Sequence, residues 1–191
     1  TEVKSKRKQQ LFFDPSQPEM SPTFSVTLAT KSDLNKAVKI AKEDPNKWRE
    51  TTLLERHELL AGAARNFRKR RGDLIGIAAA VCGKTFYESD SEISEAIDFV
   101  EYYPHSLRLL EQQTSLRLSP LGVVLVIPPW NFPIAIPTGG VSAALAGGNT
   151  VLFKPSPLAF PLGAEIANCF WDAGIPREAL QLVCCENGEP I

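Results

Sequence analysis

GVVLVIPPWNFPIAIPTGGVSAALAGGNTVLFKPS, residues 122–156, carries two apolar runs of strand character separated by a segment of small residues. Gly122 to Ile127 is a continuous β-branched stretch of the kind found in strands buried on both faces. Gly139 to Ala146 reads as a closely packing helix, closed by Gly147-Gly148-Asn149. Thr150 to Phe153 is a second buried strand. Outward from there, Pro161 to Ala173 reads as a helix stopped by Gly174, and Leu180 to Cys184 as a third strand. Strand, helix, strand, helix, strand predicts a parallel, doubly wound, Rossmann-like α/β arrangement. In such sheets ligands sit at the carboxyl ends of the strands, so the segments emerging there, Pro129 to Phe132 and Lys154 to Pro157, are expected to face one crevice. Asn131 stands between prolines that stiffen its turn, and an amide held in that way can stabilise a developing oxyanion. A purely structural rigid turn explains the same spacing.

Upstream the pattern is helical. Leu34, Ala37, Val38 and Ala41 share a face that Asp44-Pro45 ends. Thr52 and Glu55 form a capping box before the stripe Leu53, His57, Leu60, Ala64 and Phe67. A further helix is expected from Asp73 to Val81. Ser89 and Glu92 offer another capping box, leading a face of Ile93, Ile97 and Val100 toward Leu107 and Leu110, with a kink or split at Pro104. Ser115 to Leu118 alternates like a short strand. The expected organisation is therefore a polar, partly disordered leader over 1–26, a helical part over 27–118, and the first half of a nucleotide-binding α/β domain over 119–191.

Composition narrows the function. The 191 residues carry 21 Lys and Arg against 22 Asp and Glu, for a net charge of -1, and 43% are hydrophobic. This excludes collagen, disulfide scaffolds and disordered tails. With no long-range field, nucleic acid and anionic membranes are poor partners, and no membrane-spanning segment is legible. The basic cluster Arg65, Arg68, Lys69, Arg70 and Arg71 reads as complementing a helix C-terminus. Four cysteines are too sparse for a stapled secreted fold, and no signal-like segment opens the chain, so a reducing cytoplasm is the expected compartment. The two histidines have no partner at ligand spacing, and no metal site is expected. Thr1 in place of Met, and a C-terminus without tail composition, suggest a piece of a longer protein.

PWNFP at 129–133 followed by GNTVLFKPS at 148–156 resembles the aldehyde dehydrogenase superfamily, in a register running from about Thr27 to the end of the chain. GK at 83–84, SEAIDFVEYY at 94–103, SPLGVVLVI at 119–127 and AGIPREALQLV at 173–183 are most similar to the L-glutamate γ-semialdehyde (pyrroline-5-carboxylate) dehydrogenase branch. That branch includes the domain fused to proline dehydrogenase in bifunctional proline-utilisation proteins. The resemblance implies that a cysteine thiolate attacks the aldehyde, an asparagine and a backbone amide hold the oxyanion, hydride passes to NAD, or NADP, and a glutamate-activated water frees the acid.

By the same resemblance Asn131 is the oxyanion asparagine, and Lys154 bonds the adenosine ribose hydroxyls. The backbone of Ile127, Pro128, Pro129 and Trp130 borders the cofactor, and Ser156 and Pro157 lie at the ribose turn. Where the family commonly has a ribose-clasping glutamate two residues after the motif proline, this chain has Pro157. The family's nucleophilic cysteine and base glutamate fall beyond Ile191, and Cys82, Cys169, Cys184 and Cys185 match neither context nor role. The expected parent is a homo-oligomeric proline-catabolic enzyme, and the chain by itself should not turn over. A noncatalytic scaffold built on the same fold is the alternative, which Pro157 favours.

Overall fold

The computed structural model describes residues 7–17, 19–113 and 115–186. Strands β1 (Gln9–Phe12) and β2 (Phe24–Thr27) pair antiparallel, with Gln9 opposite Thr27 and Phe12 opposite Phe24. This ribbon lies where a partly disordered leader is expected from polarity. Phe12 explains the difference: it is buried with Phe160 and Cys184, so one aromatic anchors an otherwise polar segment. The leader's basic residues Lys4 and Lys6 lie outside the described residues.

Helix α1 (Lys31–Glu43) starts at a Thr30–Asp33 capping box and buries Leu34, Ala37 and Ala41. Helix α2 (Leu53–Lys69) starts at the expected box, in which Thr52 Oγ1 accepts from the Glu55 amide and the Glu55 carboxylate accepts from the Thr52 amide at 2.7 Å. Helix α3 (Arg71–Cys82) ends at Gly83, whose φ of 65° is left-handed. Helix α4 (Phe86–Glu111) departs from expectation twice. Its box is Thr85–Glu88, while Ser89 and Glu92 are buried inside the helix. It also runs unbroken through Pro104. The proline removes one backbone donor, but Ile93, Ala96, Ile97 and Val100 before it and Leu107 after it pack on the same core and hold the helix on both sides. The basic cluster does more than complement a dipole: Arg68 pairs with Glu101, Arg71 with Asp90, and Arg70 with Glu165 and Asp172.

The α/β half follows the predicted alternation: β3 (Val123–Val126), α5 (Ala135–Ala146), β4 (Thr150–Phe153), a 3-10 helix (Pro157–Ala159), α6 (Phe160–Trp171) and β5 (Leu180–Leu182). The strands are parallel in the order β3-β4-β5. Val151 and Phe153 of β4 join the core formed with α2 to α6, while Leu152 points the other way, into a cluster with Leu34, Ala37 and Ala41 of α1. The parallel sheet is thus covered on both faces, which is why β4 reads as a continuous apolar run. Strand β3 is the exception. It is an edge among the described strands, only partly buried, with Leu125 exposed, so its apolar run does not mean burial on both faces. Residues 115–118 form no strand, since Leu116 and Leu118 stay exposed and no ladder partner reaches them.

Helix α6 seats on the turn after β4 through Gly163, where a Cβ would fall 2.4 Å from Pro155 Cγ and 2.6 Å from Pro155 Cβ. Neither a helix backbone nor a proline ring can yield cheaply. Gly163→Ala is therefore expected to destabilise the fold by about 1–3 kcal/mol, the usual cost of overpacking, despite the better helix propensity of alanine. Chemical denaturation measures it, and an unchanged or raised midpoint would show that α6 is not locked to Pro155.

Candidate functional site

Strands β3 and β4 end side by side. Val126 is level with Phe153, and the Lys154 amide donates to the Val126 carbonyl at 2.9 Å, so Ile127 and Lys154 leave the sheet together. Pro128 is buried beneath exposed Ile127, Pro129 and Trp130. The Lys154 side chain is only 8% exposed, and its ammonium makes no hydrogen bond or ion pair among the described residues. The ammonium is not among the fully buried unpaired polar atoms, so the stem is covered while the tip keeps contact with solvent and can meet an acceptor brought to this strand end. Cys184 is a neighbour: burial pushes its thiol up to about 11, with the Lys154 charge opposing the shift. Ser156 Oγ accepts from the Leu158 amide at 3.3 Å and caps the 3-10 helix that Pro157 opens. Pro157 lines a cavity of about 350 Å³ with Gln9, Gln10, Leu28, Cys185 and Glu186.

Asn131 is exposed, and its side-chain amide has no hydrogen-bond partner among the described residues. Its backbone is held instead. The Lys84 ammonium donates to the Asn131 carbonyl at 3.0 Å and lies 5.0 Å from the centre of the Phe132 ring. Lys84 also pairs with Glu92, whose second carboxylate oxygen accepts from the Ile134 and Ala135 amides at 2.9 and 3.2 Å. These residues border a cleft of about 580 Å³ between α4 and the turn, lined by Lys84, Tyr87, Glu92, Glu95, Trp130 and Asn131. Lys154 is not part of this lining. The structure thus places the two motifs at neighbouring strand ends, with Asn131 and Trp130 in a cleft shared with α4, while Lys154, expected to face the same crevice, lies outside that lining.

Helix α5 explains how the cleft is fixed. It carries no charged residue and no side-chain cap of its own. Glu92 supplies an anion at its N-terminus. At the other end Arg56 Nε donates to the Ala146 carbonyl at 2.9 Å. Both charges complement the helix dipole and satisfy end groups that burial would orphan. Gly148, at φ 78°, leaves room for Arg56, whose Nη1 would lie 3.0 Å from a Cβ there. Asn149 then ties the end of α5 to β3, donating to the Ala144 carbonyl and accepting from the Gly122 amide, both at 3.0 Å.

Sequence reasoning singled out Asn131 and Lys154 and assigned no site role to Lys84, Glu92, Arg56 or Asn149. A signal for Glu92 exists, because it shares a helix face with the apolar Ile93 and Ala96, and an acid buried on such a face requires a partner.

Burial raises the Cys82, Cys169 and Cys184 thiols, to about 11, 12 and 11. At neutral pH they are protonated and poor nucleophiles. Cys184 and Cys185 are adjacent in the chain and both buried. His57 is half-buried with Nδ1 unpaired, and no group of three metal-ligating side chains is present among the described residues. No described helix is long and apolar enough to cross a membrane.

Residues 3–190 match the profile of the aldehyde dehydrogenase family. The chain is 33% identical over 169 residues to 1-pyrroline-5-carboxylate dehydrogenase of Bacillus cytotoxicus, an alignment covering 83% of this chain and 33% of that protein. It is 37% identical over 155 residues to the bifunctional protein PutA of Salmonella typhimurium, covering 81% and 12%. A crystal structure of 1-pyrroline-5-carboxylate dehydrogenase from Thermus with bound NAD superposes with a TM-score of 0.87 at 29% identity, covering 95% of this chain and 37% of that one. The chain spans about a third of the length of the Bacillus relative.

Proposed function

The chain belongs to the aldehyde dehydrogenase family, and from that premise we propose that the whole protein oxidises L-glutamate γ-semialdehyde, the open form of pyrroline-5-carboxylate, to glutamate with NAD. The observation that carries the cofactor half of the reading is Lys154, whose side chain is largely covered at the carboxyl end of β4 while its ammonium bonds to nothing among the described residues. Ribose hydroxyls supply the acceptors it lacks. In this reading Lys154 holds the adenosine ribose, the backbone of Ile127 to Trp130 borders the nucleotide, and Ser156 and Pro157 shape the turn beside it. NAD, when bound, supplies a hydride acceptor. Asn131 lines the α4 cleft with its side-chain amide unbonded among the described residues, and in this reading that amide donates to the oxygen that becomes negative as a nucleophile adds to the aldehyde. The substrate assignment rests on the likeness to the Bacillus enzyme and to PutA.

Lys154→Met in the full-length protein tests the proposal. Losing a hydrogen bond from a charged donor costs about 1.5–3 kcal/mol, so NAD affinity should fall about tenfold or more. Pro157, which replaces a carboxylate clasp, leaves the hydroxyls dependent on Lys154. The apo protein should be about as stable as wild type, because the ammonium makes no bond within the described residues and methionine keeps the covered stem. A structural lysine gives the opposite pattern: stability lost and NAD affinity unchanged.

A further inference from the structure

We propose that Glu92 and Lys84 form a clamp that positions Asn131 for catalysis, acting through the backbone of the turn and not by touching substrate. The proposal rests on the reading of Asn131 as the oxyanion donor. Glu92 is 4% exposed and sits in the second turn of α4, past the capping box, where its carboxylate caps nothing in the helix that carries it. Both of its oxygens are committed: one to Lys84, the other to the amides of Ile134 and Ala135. Those amides open α5, directly after the turn. Lys84 leaves the left-handed Gly83 corner between α3 and α4, spans to the turn and bonds the carbonyl of Asn131 itself.

The turn is thereby gripped at Asn131 and again at residues 134 and 135, while Phe132 lies against the Lys84 ammonium. Between those grips the Asn131 side chain makes no bond of its own, so nothing but its backbone fixes where the amide points. A donor can stabilise a transition state only if it is in place beforehand. Here the chain α4–Glu92–Lys84–Asn131 carbonyl does the placing, and a displacement of about 1 Å at such a group can cost on the order of a hundredfold in rate.

The test uses the full-length protein with Glu92→Gln, which keeps the side-chain volume, and Lys84→Met, which keeps the stem but removes the donor. Each should lower kcat by about 10- to 100-fold without changing the KM for NAD. Lys84→Arg, which keeps a charged donor, should restore much of the loss. In an Asn131→Ala background neither substitution should lower kcat further, since the group they position is gone. Independently of activity, hydrogen exchange at the Ile134 and Ala135 amides should accelerate in Glu92→Gln while β4 and the body of α5 stay protected. Losses that add fully to that of Asn131→Ala would overturn the clamp, as would unchanged kcat and exchange in Glu92→Gln. If wild type shows no aldehyde oxidation, the proposed function fails. The exchange arm still decides whether Glu92 holds the turn.

Discussion

Asn131→Ala in the full-length protein is expected to lower kcat for aldehyde oxidation by about two to three orders of magnitude, the cost of removing one oxyanion donor. NAD affinity and the thermal midpoint should stay close to wild type. The structure makes the separation clean. The Asn131 amide is exposed and bonds to nothing within the described chain, so its removal breaks no contact that stabilises the fold. What holds the turn is its main chain, through Lys84 and Glu92. A rigid-turn role would appear as lost stability, with activity falling only as the folded fraction falls. Near-normal turnover per folded molecule in Asn131→Ala would remove this residue from the mechanism.

Residues 1–191 alone are expected to form no NADH from glutamate semialdehyde or simple aldehydes. Covalent aldehyde oxidation needs a thiolate at neutral pH. The Cys82, Cys169 and Cys184 thiols are held protonated by burial, which disfavours their charged form. Cys185 is buried as well, with 1% of its surface exposed. In the proposed mechanism the nucleophile and the general base belong to the remainder of the protein. Alkylation of these thiols should be slow at neutral pH and accelerate as the pH is raised toward 11, the value of the Cys82 and Cys184 thiols. Turnover that survives purification and disappears on substituting any one of the cysteines would contradict this assignment.

The α/β alternation was legible because its signals are local. The β-branched runs, the small-residue helix and Gly174, at φ 99°, mark boundaries that need no knowledge of neighbours. The Thr52 capping box was legible for the same reason. Signals that depend on a distant partner misled. Phe12 gave no hint that it would anchor a ribbon against Phe160 and Cys184, because that contact joins the two ends of the described chain. Ser89 and Glu92 match a capping pattern, but Thr85 and Glu88 match it equally, and the choice is made by where Gly83 turns the backbone. Glu92 is then free to serve α5 from 42 residues away, a role no local spacing encodes. The apolar run of β3 reported strand but not exposure, since an edge and a centre differ only in what lies beside them. For the site, the two motifs gave Asn131 and Lys154. The structure added what position alone leaves open: the Lys154 stem is covered with its ammonium unbonded among the described residues, and the Asn131 main chain is held by Lys84.

The central claim is that these residues form part of an enzyme that uses NAD to oxidise an aldehyde. The most direct measurement is NADH formation by the full-length protein given NAD and glutamate semialdehyde. The account predicts NADH and glutamate in equal amounts, with a rate that collapses in Asn131→Ala. Protein that binds NAD yet forms no NADH from this or any simple aldehyde would contradict it and leave the noncatalytic scaffold in its place.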